Sequence, residues 1–378
     1  MLRYNDIVEG KSRAVKEFSA KRMIGICGAC VAYYIGAGFA TMQEVVQYEA
    51  SYGSQFLIVI AVAAAIYIYT NLSFATNGNR MHIERGGDIY KVYCGEKIGT
   101  FYDYFAAFFC YMCFIVKCSS ANSVATELWG LPNGVGAAIL TVAVIATAVF
   151  GLDGILKALS KLGPVLIMFI LFVSLWTAIR NLGDFSTGLE EIDNHKYDIE
   201  QVGGGNPFFS GASYGGFVIL WFASFLAEIG ARNDLKEVNV GMMISAVAVF
   251  AASIVCCVAL IANISEIWSD DVPALTLAHS IHPVVELAFA LIIFGGIYTT
   301  ALPLLWTGII KLAEEGTKKY KRLTVIGGIL GFLIGFLPYK SVLNVLYGVN
   351  GYLGFLLIIF MIWHDLRERL HRQKNGDT

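Results

Sequence analysis

Of 378 residues, 57% are hydrophobic and 15% charged, the formal net charge is −2 and the mean hydropathy is +0.64. A soluble protein carries about 25% charged residues, so this chain lacks the charge to cover a globule. Its near-neutral balance, without dominant basic runs, also excludes a disordered or nucleic-acid-binding chain. Long apolar runs such as residues 56–69 and 241–262 exclude the alternating pattern of an outer-membrane barrel and leave an all-α polytopic membrane protein.

Residues 1–22 mix both charges (Lys11, Arg13, Lys16, Glu17, Lys21, Arg22) around no apolar stretch, which reads as a cytoplasmic segment and not a cleavable signal peptide. A helix needs roughly 20 residues to cross the hydrocarbon core. Ten stretches approach that length: 23–50, 53–75, 102–129, 134–152, 155–179, 207–231, 240–262, 286–310, 323–338 and 341–363. They divide into a first five-helix unit (23–180), an external loop (181–206), a second five-helix unit (207–363) and a cytoplasmic tail (364–378). Because five is odd, the second unit enters the membrane inverted relative to the first. With both termini inside, 23 of the 27 lysines and arginines fall on cytoplasmic segments, while the external ones are acidic (Asp184, Glu190, Glu191, Asp193, Asp198, Glu200, Asp270, Asp271). Trp129, Trp176 and Trp268 sit at expected outer ends and Trp306 and Trp363 at inner ends; Trp221, mid-span, is the exception.

The first span of each unit is overlong and interrupted. Residues 24–35 are apolar, Gly36-Ala37-Gly38 breaks the pattern, and Thr41, Gln43 and Glu44 then place polar groups at membrane depth. Each glycine weakens a helix by about 1 kcal/mol relative to alanine, and irregular backbone at that depth is tolerated only where it lines a cavity or packs on protein. In the sixth span the break falls either at Gly215-Gly216 or around Trp221–Phe225, and symmetry with the first favours the second place. Paired broken helices offer open N–H groups to carboxylates and open carbonyls to cations, which is how secondary transporters build a midplane site.

Three ionisable groups stand inside spans: Glu44 after the first break, Lys117 midway along the third span and Glu228 in the inner half of the sixth. Such groups face a cavity or a partner, so Lys117 either pairs with a glutamate or meets a solute carboxylate. Trp221, Phe222 and Phe225 offer a hydrophobic wall with Ser224 as a polar contact. In the eighth span Gly296, Thr299 and Thr300 share a helix face, and Pro303 leaves the Thr299 carbonyl without its helical donor. That oxygen cluster suits Na⁺, although membrane threonines also bond back to their own helix. The segment 264–283, with Pro273, His279 and His282, is placed as an outer lid. The eight cysteines lie almost all in apolar spans, and neither of the two C-x-x-C pairs (Cys27/Cys30, Cys110/Cys113) has a nearby histidine, so no disulfide framework or metal centre is expected.

The run Tyr34-Ile35-Gly36-Ala37-Gly38-Phe39-Ala40-Thr41-Met42-Gln43-Glu44, with Val272-Pro273-Ala274-Leu275 and Tyr298-Thr299-Thr300-Ala301, resembles the YkvI-like branch of bacterial membrane proteins. That branch is similar to the amino acid–polyamine–organocation superfamily and its five-plus-five inverted-repeat, leucine-transporter-like fold. The resemblance implies Na⁺-coupled symport of an amino acid or related small amine, with no cofactor beyond the coupling ion. It also implies one Na⁺ held by the carbonyls of Ala32, Ile35 and Gly296 and the hydroxyls of Thr299 and Thr300. Phe39 replaces the asparagine of relatives with a second Na⁺ site, and proton-driven relatives use a fifth-span lysine, here Lys161. A solute carboxylate would meet the amides near Gly36 and Gly38, with Gln43, Glu44, Lys117 and Glu228 as further contacts. One charge crossing 100 mV yields about 2.3 kcal/mol, roughly a fiftyfold gradient. The expected protein is an inner-membrane carrier, monomeric or weakly oligomeric, whose partners are solute and lipid and not nucleic acid. An enzyme is not expected, since the loops hold no phosphate-binding loop or zinc motif. A receptor or channel is the competing class.

Overall fold

The computed structural model describes residues 18–83, 85–149 and 153–375, without the side chains at 32, 33, 37, 153–164, 221, 349, 369 and 371–375. All regular structure among the described residues is helical. The first span is three pieces, α1 (Ala20–Tyr34), α2 (Ala37–Ala40) and α3 (Gln43–Tyr48), followed through a 3₁₀ turn by α4 (Phe56–Arg80). Next come α5 (Ile89–Trp129), α6 (Val135–Ala148), α7 (Asp153–Arg180) and the short α8 (Phe185–Asp193). The second half holds α9 (Pro207–Arg232), α10 (Leu235–Ala262), α11 (Ile264–Ile267), α12 (Pro273–Ile281), α13 (Pro283–Ile310), α14 (Lys318–Ile334) and α15 (Tyr339–Asn375). Helix starts follow local chemistry: Asn206, Asp234 and Thr317 accept first-turn amides of α9, α10 and α14, and Pro207 and Pro283 open α9 and α13 where a missing N–H costs nothing.

Five helical stretches among the described residues are long and apolar enough to cross a bilayer: Ala50–Arg80, Gly86–Trp129, Leu235–Ala262, Pro283–Ile310 and Tyr339–Glu368. Two bent pairs join them, Val165–Arg180 with Leu182–Asp193 at 71° and Pro207–Leu220 with Phe222–Arg232 at 54°. Outward faces carry large bare hydrophobics, among them Val142, Phe172, Ile179, Val247, Leu291, Leu333 and Ile359. A belt of that kind far exceeds the patches that water tolerates and belongs against lipid.

The core forms where α4 packs on α9, α9 on α15, α5 on α13 and α15, and α7 on α10 and α13. By contrast α1 leans mainly on α10. At its N-terminal end the buried Glu237 of α10 accepts the Ser19 amide at 2.6 Å and two Arg22 guanidinium bonds at 2.8 Å. The two candidate breaks in the sixth span separate cleanly. Gly216 is a crossing point, where a Cβ would lie 2.0 Å from the Gly351 carbonyl of α15, whereas the 54° bend falls at position 221.

Candidate functional site

The interruption of the first span is built from backbone bonds that leave the helical register. In a continued helix the Gly36 amide would bond the Ala32 carbonyl; it turns instead to Tyr34 O at 2.8 Å, freeing Ala32 O of its helical donor. One turn later Met42 takes the left-handed conformation, φ 63°, which a non-glycine residue adopts only under local constraint. The constraint is visible in Thr41: its hydroxyl donates to Gly38 O at 2.9 Å and sits 2.9 Å from Tyr339 OH, while its carbonyl accepts the Ala274 amide of α12 at 3.2 Å. The segment 264–283, the broken span and α15 therefore meet at one residue. Glu127 of α5 holds the same segment, accepting the amides of Asp271 and Val272 at 2.7 and 3.2 Å.

The left-handed turn folds Glu44 back over α2. Its carboxylate occupies the place a Cβ on Gly38 would take, the two positions being 2.6 Å apart. Glu44 is buried, and among the described residues no hydrogen bond reaches its carboxylate. Lys117, also buried, acts on it electrostatically. The lysine Nζ donates to Tyr347 OH at 3.1 Å and stands 5.7 Å from that ring. The same carboxylate acts on the hydroxyls of Tyr34, Tyr48, Tyr214, Tyr339 and Tyr347. Rings from four helices stack around it: Tyr48 on Tyr214 and Phe217 on Tyr347, each at 4.7 Å between centroids, with Tyr34 edge-on to Tyr214 at 5.9 Å. Gln43 Oε1 and Tyr48 OH lie buried on α3 without a hydrogen-bond partner among the described residues.

The structure thus brings Gly38, Gln43, Glu44 and Lys117 together, with Gly36 at the adjoining break. It sends the rest of the expected wall elsewhere. Phe222 packs edge-on to Tyr67 of α4 at 5.6 Å and to Phe225 at 6.3 Å. Ser224 abuts Gly86. Glu228 accepts the Gly86 amide at 3.1 Å and pairs with Arg232 at 3.2 Å, committed to the connection before α5 and not to Lys117. The side chains of Trp221 and Lys161 lie outside the described residues. On α13 the Thr299 and Thr300 hydroxyls both donate to Gly296 O, at 3.0 and 2.9 Å; each keeps lone pairs with which a cation can be held. Ala32 and Ile35 close the end of α1.

Two features escaped the sequence. The aromatic wall is made by Tyr214 and Phe217, one to two turns before the expected Trp221–Phe225 group, and by Tyr48 and Tyr347. Glu49 is completely buried; Ser253 Oγ donates to its Oε2, Cys257 Sγ approaches the same oxygen at 3.4 Å, and Oε1 has no partner among the described residues. The available signal was its five-residue spacing from Glu44, hidden because Glu49 falls at the end of the expected span.

No protein-family model and no curated protein matches the sequence. Solved structures do share the fold. MhsT in complex with L-phenylalanine aligns with a TM-score of 0.61 and 17% identity over 89% of this chain and 87% of that one. The Eremococcus coleocola manganese transporter aligns in two mutant forms, each with a TM-score of 0.51 and 13% identity over 96% of this chain and 83% of that one. The chain therefore has the leucine-transporter-like fold, and its apolar helices make it a multi-pass membrane protein.

Proposed function

We propose that the protein is a secondary active transporter that carries an amino acid or related small amine across the cytoplasmic membrane together with Na⁺, by alternating access. In this reading the chain crosses ten times as two inverted five-helix units with both termini inside. The contact pattern supports the inversion: α4 on α9 and α1 on α10 are one contact seen from each unit, and so are α5 on α15 and α7 on α13. That the structural neighbours include an amino acid complex and a metal-ion transporter supports the transporter class.

The observation that carries the reading is the opened backbone at Gly36 and Met42, lying beside a buried Glu44 and Lys117 under an outer lid that bonds to Thr41. Solute then sits among Gly38, Gln43, Glu44, Lys117 and the stacked rings. Na⁺ sits between the carbonyls of Ala32, Ile35 and Gly296 and the hydroxyls of Thr299 and Thr300; the freed Ala32 carbonyl and the clustered threonine oxygens support that placement. The lid contacts at Thr41 and Glu127 and the sparse packing of α1 support a state closed to the outside.

The test is uptake of radiolabelled amino acids into proteoliposomes with and without an inward Na⁺ gradient. Accumulation that collapses without Na⁺ is expected, and the Thr299→Ala/Thr300→Ala double variant should lose Na⁺-dependent thermal stabilisation. Uptake indifferent to Na⁺ but driven by a pH gradient would refute the coupling. A smooth helix through residues 35–42 in an experimental map would refute the site.

A further inference from the structure

On this transport reading some part of the solute must meet the interrupted first span. The sequence leads one to expect a solute carboxylate near Gly36 and Gly38, but the Gly36 amide is spent on Tyr34 O and the structure fills that place with a carboxylate of its own. A Cβ on Gly38 would lie 2.6 Å from the carboxyl carbon of Glu44 and 2.6 and 3.0 Å from its two oxygens. The Met42 turn holds it there, and the side chain keeps only 3% exposure. Among the described residues no donor bonds the carboxylate, so its acceptor capacity is unspent. A second carboxylate at contact distance would be repelled, and in a buried site that repulsion is poorly screened.

We propose that Glu44 receives the ammonium group of the solute, and that a solute carboxylate, where present, points the opposite way, towards Lys117. Three further observations favour donors over acceptors at this end. Gln43 Oε1, one residue before Glu44, is an acceptor buried with no partner among the described residues. The stacked rings of Tyr48 and Tyr214, on whose hydroxyls Glu44 acts, lie next to it with Phe217 packed on Tyr214, and aromatic rings attract cations. Among the described residues Lys117 supplies the one cation acting on Glu44, and it is anchored away from α2 through Tyr347 on α15. The pair is a buried dipole, negative at the broken span and positive at α15, and a zwitterion laid antiparallel to it leaves the site neutral. The ligand class is an arylalkylammonium, with or without a carboxylate at its ammonium-bearing carbon, whose ring joins the stacked tyrosines and phenylalanine.

Three matched probes separate the alternatives on the purified full-length protein by thermal shift: L-phenylalanine, phenethylamine (the ammonium alone) and 3-phenylpropionate (the carboxylate alone). Phenethylamine and L-phenylalanine are expected to stabilise the wild type and 3-phenylpropionate to leave it unchanged. Glu44→Gln should abolish both responses. Lys117→Gln should spare phenethylamine but cut the preference for L-phenylalanine by about tenfold or more. If Glu44→Gln does not fold, Glu44→Asp, which keeps the charge and withdraws it by one methylene, should weaken the amine response selectively. Stabilisation by 3-phenylpropionate, an amine response that survives Glu44→Gln, or no response to any probe would overturn the proposal. Binding of phenethylamine through Glu44 by a protein that accumulates no solute in liposomes would uphold the ammonium site and defeat the transport reading instead. Na⁺-driven uptake of other amino acids with no response to the three probes would do the reverse.

Discussion

Replacing Gly354 by alanine should disturb the site through the crossing of α9 and α15, and the structure sets the size of the effect. A Cβ there would lie 1.7 Å from the Gly216 carbonyl oxygen and 2.3 Å from its carbon, just as a Cβ on Gly216 would lie 2.0 Å from the Gly351 carbonyl. A tolerable C···O approach is about 3.3 Å, so α9 and α15 must part by more than an ångström, and no flexible side chain is available to yield. Overpacking of this kind costs about 1–3 kcal/mol. Separation also opens the 4.7 Å stack of Phe217 on Tyr347, about 0.5–1.5 kcal/mol more. Against this the alanine gains about 1 kcal/mol of helix propensity, leaving a net loss of about 1–3 kcal/mol. Gly348, on the same helix, is the internal control. Its Cβ would meet nothing nearer than Val202 at 3.5 Å, so Gly348→Ala should be neutral or stabilise by up to about 1 kcal/mol. Chemical denaturation in detergent, followed by tryptophan fluorescence, measures both. Equal stabilities for the two variants would show that the glycine crossing does not set the helix spacing. Because Tyr347 also takes the Lys117 bond, Gly354→Ala should in addition weaken solute binding, whereas Gly348→Ala should not.

Glu49→Ala should destabilise by about 2–4 kcal/mol, since it empties a fully buried volume and strands Ser253; Glu49→Gln, which keeps an acceptor for Ser253, should cost clearly less in the same denaturation series. Arg22→Ala removes the guanidinium bonds to Glu237 and should speed maleimide labelling of the buried Cys30 on α1 severalfold, read by peptide mass spectrometry; an unchanged rate would mean that Arg22 does not hold α1 on α10. In the loop between α11 and α12, burial holds the Asp270 carboxyl above the usual carboxylate range and the adjacent Asp271 adds to this, while Thr276 and Lys340 of α15 oppose it. A raised folded value favours the protonated form, so its contribution to lid stability is complete in acid, below the unfolded value, and is lost as pH rises through the folded one. Proteolysis of residues 264–282 should therefore quicken across that window in the wild type and show a flatter profile in Asp270→Asn.

What the sequence disclosed and what it hid divide along a physical line. Backbone irregularity is written in residue type: Gly36 and Gly38 announce an opening because glycine in a lipid-depth helix has an immediate cost, and the opening lies where they stand. Gly215-Gly216 shows the limit, since the same residues serve a helix crossing as well as a break, and only the Gly351 carbonyl 2.0 Å away from a Gly216 Cβ distinguishes the two. Lone charges are legible for the same energetic reason, and Glu44 and Lys117 do act on each other. Which aromatic rings gather round them is not legible. Every span carries phenylalanine or tyrosine, and a ring that lines a site has the same hydropathy as one that fills a seam. Tyr214 and Phe217 join the site because the 54° bend falls after them, so that the half of α9 preceding the bend packs beside α3 while Phe222 faces α4. The position of one bend therefore decides which rings surround Glu44, and that position follows from tertiary packing, not from any local signal in residues 214–225.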